Sequence, residues 1–263
     1  MIIYFTGTGN SRFVAEQIAE ATGDELVNAV KYTRKNRNAV FSTPGIYVFV
    51  SPIYVSAPPM VFLDFIRHST FPGDCRAYFI MTCAGGMGGA PGYCKALAAE
   101  KGFTYMGTAE VEMPQNYIAM FKTGTPEENR AKIEAAVPVV SNLSIAIRNC
   151  RELPDPGMKG WELLSTRMVL APYYKYFMTS KPFAATENAS AAENAQPYAL
   201  SQILSCRTGN PSGGITAPTV WAASTCAPKR LLNTAKGPMA NCVTTGPVLS
   251  DSFFRYSCSA VSG

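Results

Sequence analysis

Six residues near the start of the chain, Thr6-Gly7-Thr8-Gly9-Asn10-Ser11, have the composition of an anion-binding loop. Gly7 and Gly9 permit tight curvature, so successive backbone N–H groups can converge on one point. Thr6, Thr8, Asn10 and Ser11 add hydroxyl and amide donors. The apolar run Ile2–Phe5 comes before the loop, and Phe13, Val14, Gln17, Ile18 and Ala21 follow it at helical spacing. A loop between a strand and a helix N-terminus offers donors and a favourable dipole to a phosphate. The nucleotide loop GxxxxGK[ST] is absent, and Arg12 stands where a dinucleotide fingerprint needs its third glycine. An ordinary β–α turn with a Ser or Asn cap is the plainer alternative.

Two further segments share the small and polar composition. Ser51-Pro52-Ile53-Tyr54-Val55-Ser56-Ala57 carries one aromatic and two large apolar side chains, enough to wall or stack on a planar ring. Tyr54 is the candidate for stacking, with a core position as its alternative. Thr82-Cys83-Ala84-Gly85-Gly86-Met87-Gly88-Gly89 brings backbone amides that can approach a ligand edge closely, because Gly85, Gly86 and Gly88 lack side chains. Cys83 is expected to pack as a small hydrophobe. His68, the one histidine, is expected at a helix C-terminus on the surface.

These loops need a scaffold, and the periodicity supplies one. Glu25–Val30, Gly45–Tyr54, Ala77–Cys83 and Tyr105–Val111 read as buried strands beside Ile2–Phe5. Helices are predicted after Pro58-Pro59, over 92–101, and over 127–149 with a disturbance at Pro138. Strands alternating with helices give an α/β, doubly wound, parallel five-stranded sheet. All three loops then leave carboxyl ends of strands, where such sheets bind ligands.

Composition narrows the function classes. Of 263 residues, 23 are Lys or Arg and 18 are Asp or Glu, giving a net charge of +5. Residues 1–150 are nearly neutral, with 13 basic and 12 acidic side chains. The single basic cluster, Lys31–Arg37, is too small for a nucleic-acid stripe and reads as a solvated loop. No apolar run is long enough to span a bilayer, and the start has no basic segment or cleavage site, which predicts a cytoplasmic protein. The eight cysteines form no CxxC pair, so no metal site is expected in the chain as translated.

The stretches Tyr4–Arg12, Pro52-Ile53-Tyr54 and Met113-Pro114-Gln115-Asn116-Tyr117 resemble fused flavodoxin–ferredoxin proteins. The resemblance covers about residues 1–186 and implies a flavodoxin-like domain over 1–150 that binds FMN, followed by a helical connector over 151–187. It implies that Thr6, Gly7, Thr8, Gly9, Asn10 and Ser11 hold the FMN phosphate. Pro52, Ile53, Tyr54 and Val55 with Cys83, Ala84, Gly85, Gly86 and Gly88 would flank the flavin ring. The implied role is electron transfer between redox partner proteins. An NAD(P)H-dependent FMN or quinone reductase and a flavin-free interaction module are the alternatives.

Two four-cysteine motifs for [4Fe–4S] clusters would complete the resemblance, and they are missing. Residues 188–263 contain only Glu193 and Asp251 as acids and show no sustained periodicity. Cysteine can emerge from the last base of one codon and the first two of the next only where the second residue is Ala or Val. Ala189, Ala192, Ala195 and Ala199 stand at the spacing C-x2-C-x2-C-x3-C, and Ala217, Val220, Ala223 and Ala227 repeat it. Leu200 and Pro228 allow the proline that follows the fourth cysteine in bacterial ferredoxins. Eight chosen positions would all be Ala or Val by chance on the order of once in a million, given ordinary residue usage. The expectation is an irregular, disordered or poorly packed tail, the out-of-frame reading of a ferredoxin domain, holding no cluster and selected for no fold.

Overall fold

The computed structural model describes residues 1–173, except 36, 44, 74, 118–120, 155, 158 and 159, together with four short strand segments further on. Five strands, β1 (Ile2–Tyr4), β2 (Leu26–Asn28), β3 (Ile46–Pro52), β4 (Arg76–Cys83) and β5 (Thr104–Glu112), form one sheet in the order β2-β1-β3-β4-β5. Every pairing in it is parallel. Helices α1 (Asn10–Thr22), α2 (Val30–Thr33), α3 (Met60–His68), α4 (Ala90–Lys101) and α5 (Pro126–Arg148) connect or follow the strands, and α6 (Gly160–Pro172) comes after them. This order is that of the flavodoxin-like doubly wound fold.

Alternation along the strands builds the two layers. Ile3, Phe5, Phe49, Phe79 and Met81 face a core shared with α3 and α4 residues such as Phe62, Ile66 and Leu97. Ile2, Tyr4, Val48, Val50, Tyr78 and Ile80 face the other core, with Val14, Ile18, Ile133 and Val140 from α1 and α5. Both faces are covered, which is why β3 and β4 read as unbroken apolar runs. The first core is rich in aromatic rings: Phe49 stacks on Phe79 at 5.3 Å and meets Phe71 edge-on at 5.9 Å. Burying each such ring contributes about 1.5–3 kcal/mol.

Two expectations need correction. β2 stops at Asn28 rather than Val30, because the Asn28 side chain accepts a 2.9 Å bond from the Val30 N–H and turns the chain into α2. α5 runs unbroken through Pro138. Apolar packing on both sides of the proline, at Ile133, Ala136 and Val140, together with the Thr125–Glu128 capping box, holds the helix across the missing N–H. The helical connector expected over 151–187 contains α6; residues 174–182 and 185–187 lie outside the described residues. His68, by contrast, is exposed at the end of α3 as expected, with Nδ1 2.8 Å from the Asp64 carbonyl oxygen.

The segment after α5 is stitched to the sheet. Between Ala77 and Tyr78 the register with β5 slips by one residue, leaving Met106 bulged out. The Met106 carbonyl accepts from Leu153 N at 2.8 Å, and the Tyr78 hydroxyl donates to the Arg151 carbonyl at 2.8 Å. Burial pushes the Tyr78 phenol up to about 12. Gly107 makes the bulge possible: its φ is +118°, and a Cβ there would lie 2.7 Å from Leu153 Cβ. Gly107→Ala combines backbone strain with a steric clash and is expected to cost about 2 kcal/mol or more. A urea melt checks this.

Beyond α6, strand Phe183–Ala184 pairs antiparallel with Asn233–Thr234, and Ser205–Arg207 with Asn210–Ser212. The rest of the 188–263 segment, including all eight Ala and Val positions of the two spacings, lies outside the described residues.

Candidate functional site

Four loops meet at the carboxyl edge of the sheet. The first leaves β1 after Phe5, whose N–H still bonds the Val50 carbonyl at 2.9 Å. Gly9 takes φ +108° to start α1, a conformation that glycine adopts most easily. Its N–H donates to Thr6 Oγ1 at 3.0 Å, closing the loop on itself. The N-cap residue, Gly9, has no side chain to cap the helix, and no acid lies in the first turn of α1. Its leading N–H groups are the ones no intrahelical carbonyl can satisfy. Thr6, Gly7, Thr8 and Gly9 are half-buried along the same edge.

Two of the side chains expected to bind phosphate are committed elsewhere. Ser11 is 1% exposed, and its hydroxyl pairs with Thr82 Oγ1 of β4 at 2.7 Å. Asn10 is buried, and its Nδ2 donates to the Pro114 carbonyl at 3.0 Å. Both fall in the first turn of α1, where helical geometry turns them inward against the sheet. They brace the loop against β4 and the segment after β5.

The second loop extends the β3 ladder by one bond, Ile53 N to the Thr82 carbonyl at 3.0 Å. Tyr54 and Ala57 then close a tight turn through two backbone bonds of 2.8 and 3.3 Å. At its tip Val55 and Ser56 both have positive φ, 54° and 62°. A β-branched residue in this region is a genuine outlier and costs about 1–3 kcal/mol. Tyr54, the expected stacking side chain, is only 6% exposed and belongs to the core with Phe5 and Phe62. Its turn bonds draw it under the loop, so it presents no open ring face. Pro52 is buried, whereas Ile53 and Val55 are half-buried.

The third loop touches the second. A Cβ on Gly88, whose φ is +52°, would lie 2.5 Å from Ser56 Cβ. Gly85 and Gly86 are exposed and Ala84 and Met87 half-buried. Cys83 is buried, with its Sγ 3.7 Å from Glu110 Oε2. Burial raises the thiol pKa, outweighing the bonds from Gly86 and Gly85 N–H, and the Glu110 charge raises it further. A neutral thiol packed this way has the structural role expected of it.

The fourth loop, Met113–Tyr117, follows β5 and lies against the first. Gln115 Oε1 accepts from the N–H groups of Asn116 and Tyr117, both at 2.9 Å. Asn116 Nδ2 donates to Thr8 Oγ1, and the Tyr117 hydroxyl lies 3.2 Å from that of Tyr173. Burial raises the Tyr117 pKa, and its bond to Tyr173 raises it further. From the far side, Thr166 of α6 is buried against Gly89, where a Cβ would lie 2.6 Å from Thr166 Oγ1. Thr166 was not anticipated from the sequence, whereas Thr82 lies in the third loop and Asn116 in the Met113–Tyr117 stretch.

None of the loop residues 6–11, 51–57, 84–89 and 113–117 carries a charge. These loops present neutral donors, backbone amides and apolar tips. Among the described residues no group of three His, Cys, Asp or Glu could hold a metal ion, and no helix is long and apolar enough to cross a membrane.

Sheet order and loop placement together define a flavodoxin-like α/β domain with its site at the carboxyl edge. No family model and no curated protein sequence matches the chain. Among solved structures, an NAD(P)H:quinone oxidoreductase from Methanothermobacter marburgensis is 14% identical over 54% of this chain and 94% of its own, with a TM-score of 0.34. An FMN-dependent NADH-azoreductase from Bacillus anthracis is 11% identical over 56% and 99%, at 0.33. A short-chain flavodoxin associated with a bacterial microcompartment is 12% identical over 56% and 96%, at 0.31.

Proposed function

We propose that this domain binds FMN and passes electrons between a donor and a protein acceptor. The observation that carries the reading is the α1 N-terminus. It is entered through a left-handed glycine at the N-cap, which brings no side chain of its own, and the loop before it is donor-rich. The Thr6–Ser11 loop would hold the phosphate, chiefly through backbone N–H groups and the hydroxyls of Thr6 and Thr8. Residues 52–55 and 83–88 would flank the ring, with Ile53, Val55 and Met87 as the apolar wall in place of Tyr54. Strain held at Val55 and Ser56 belongs with such a contact, since strained backbone clusters where ligands are clamped. When bound, the flavin supplies the one- and two-electron chemistry; the protein supplies position and electrostatics.

A visible absorption spectrum of the purified chain, before and after added FMN, tests the proposal. The expected result is a flavin spectrum that stays with the protein through gel filtration. A colourless protein that ignores added FMN would instead make it an interaction module. Steady NAD(P)H oxidation by the purified chain would make it a reductase. We extend the proposal to residues 188–263, as the out-of-frame reading of a ferredoxin segment once fused to this domain.

A further inference from the structure

The two threonine hydroxyls of the first loop are constrained in the same sense. Thr6 Oγ1 accepts from the Gly9 N–H at 3.0 Å. Thr8 Oγ1 accepts from Asn116 Nδ2, a residue 108 positions away. A hydroxyl has one proton and two lone pairs, so one that accepts from a fixed N–H keeps its proton to donate elsewhere. A dianionic phosphate only accepts, so a hydroxyl serves it only as a donor. The Thr6 hydroxyl is set by the backbone. The Thr8 hydroxyl is set by a side chain and can be unset by mutation.

Accepting the FMN site proposed above, we infer that Asn116 is a positioning residue for phosphate recognition, acting through the Thr8 hydroxyl. The strap that carries it is well held. Gln115 Oε1 ties down the Asn116 and Tyr117 amides, Asn10 Nδ2 holds the Pro114 carbonyl, and Tyr117 reaches Tyr173. The Asn116 amide therefore meets Thr8 from a fixed direction and turns the hydroxyl proton toward the anion before the ligand arrives. The role is specific to the phosphate and leaves the flavin ring untouched.

A double-mutant cycle with Thr8→Val and Asn116→Ala tests this, reading the dissociation constants of FMN and of riboflavin, which lacks the phosphate. Each single variant is expected to weaken FMN about tenfold, the size of one lost hydrogen bond to a charged group. The double variant should also lose only about tenfold, since both changes remove the same interaction, with riboflavin held within about twofold throughout. Independent losses multiplying to about a hundredfold would overturn the inference, as would equal losses for the two flavins. Should Asn116→Ala fail to fold, Asn116→Asp takes its place. Its carboxylate accepts the Thr8 proton, so FMN should weaken while riboflavin does not, and parallel weakening overturns the role. A wild-type chain that binds no FMN overturns the flavin site and this inference together. A wild type that binds FMN but gives a multiplicative cycle removes only the assignment of Asn116.

Discussion

Gly9→Val is expected to weaken FMN binding by about a hundredfold or more, the largest effect of any single substitution in the domain. Gly9 begins α1 at φ +108° and donates its N–H to Thr6 Oγ1. A branched side chain there would stand where a phosphate must approach the α1 N-terminus, and two or more hydrogen bonds to a charged group, each worth about 1.5–3 kcal/mol, would be lost. Valine also strains the left-handed backbone, so a fall in stability comes with the change. Gly23 separates the two effects. It ends the same helix at φ +74°, with its N–H on the Ala19 carbonyl and open space around it. Gly23→Val should lower the melting temperature comparably and leave FMN affinity intact. Cys83→Ser, at a buried neutral thiol, should alter FMN affinity by no more than about twofold, within the scatter of independent sites. Equal FMN affinity in Gly9→Val and wild type, measured on folded protein, would remove the phosphate loop from this position.

The sheet was legible because both of its faces are buried. Runs such as Ile46–Pro52 and Ala77–Cys83 can be little else than central parallel strands, and glycine and proline punctuate their ends. The site was legible as loops but not as side chains. Composition marks Thr6–Ser11 as an anion loop, yet whether Asn10 and Ser11 point at the ligand or at the protein depends on partners Pro114 and Thr82, more than seventy residues away. Tyr54 shows the same limit. An aromatic at a strand end suits a stacking platform and a core position equally, and the Tyr54–Ala57 backbone bonds decide for the core. The Met106 bulge, the Gly107–Leu153 contact and the Thr166–Gly89 contact are tertiary in origin. No local pattern encodes them.

Restoring the reading frame is expected to turn a chain with no iron into one with about eight iron atoms, as two [4Fe–4S] clusters. The cysteines read from the last base of one codon and the first two of the next, which is the frame left after loss of one base. One base inserted ahead of the codon for Asn188, chosen so that no stop arises, would return all eight positions to cysteine. In two-cluster ferredoxins the fourth cysteine of each C-x2-C-x2-C-x3-C-P run binds the other cluster, so the two spacings beginning at Ala189 and Ala217 make sense only as a pair. Both are present, and each allows its proline, at Leu200 and Pro228. Iron analysis and visible absorption of the frame-restored protein after anaerobic reconstitution check the outcome, with the unaltered chain as the iron-free control; FMN binding should be the same in both. The coding DNA checks it first. The codons for Asn188, Ala191, Asn194, Tyr198, Thr216, Thr219, Ala222 and Cys226 must all end in T, because only TGC and TGT encode cysteine and the following Ala or Val supplies GC or GT. Synonymous codons make eight accidental matches rare. A single one of these codons ending in another base would break a cluster ligand and overturn the ferredoxin origin of the segment.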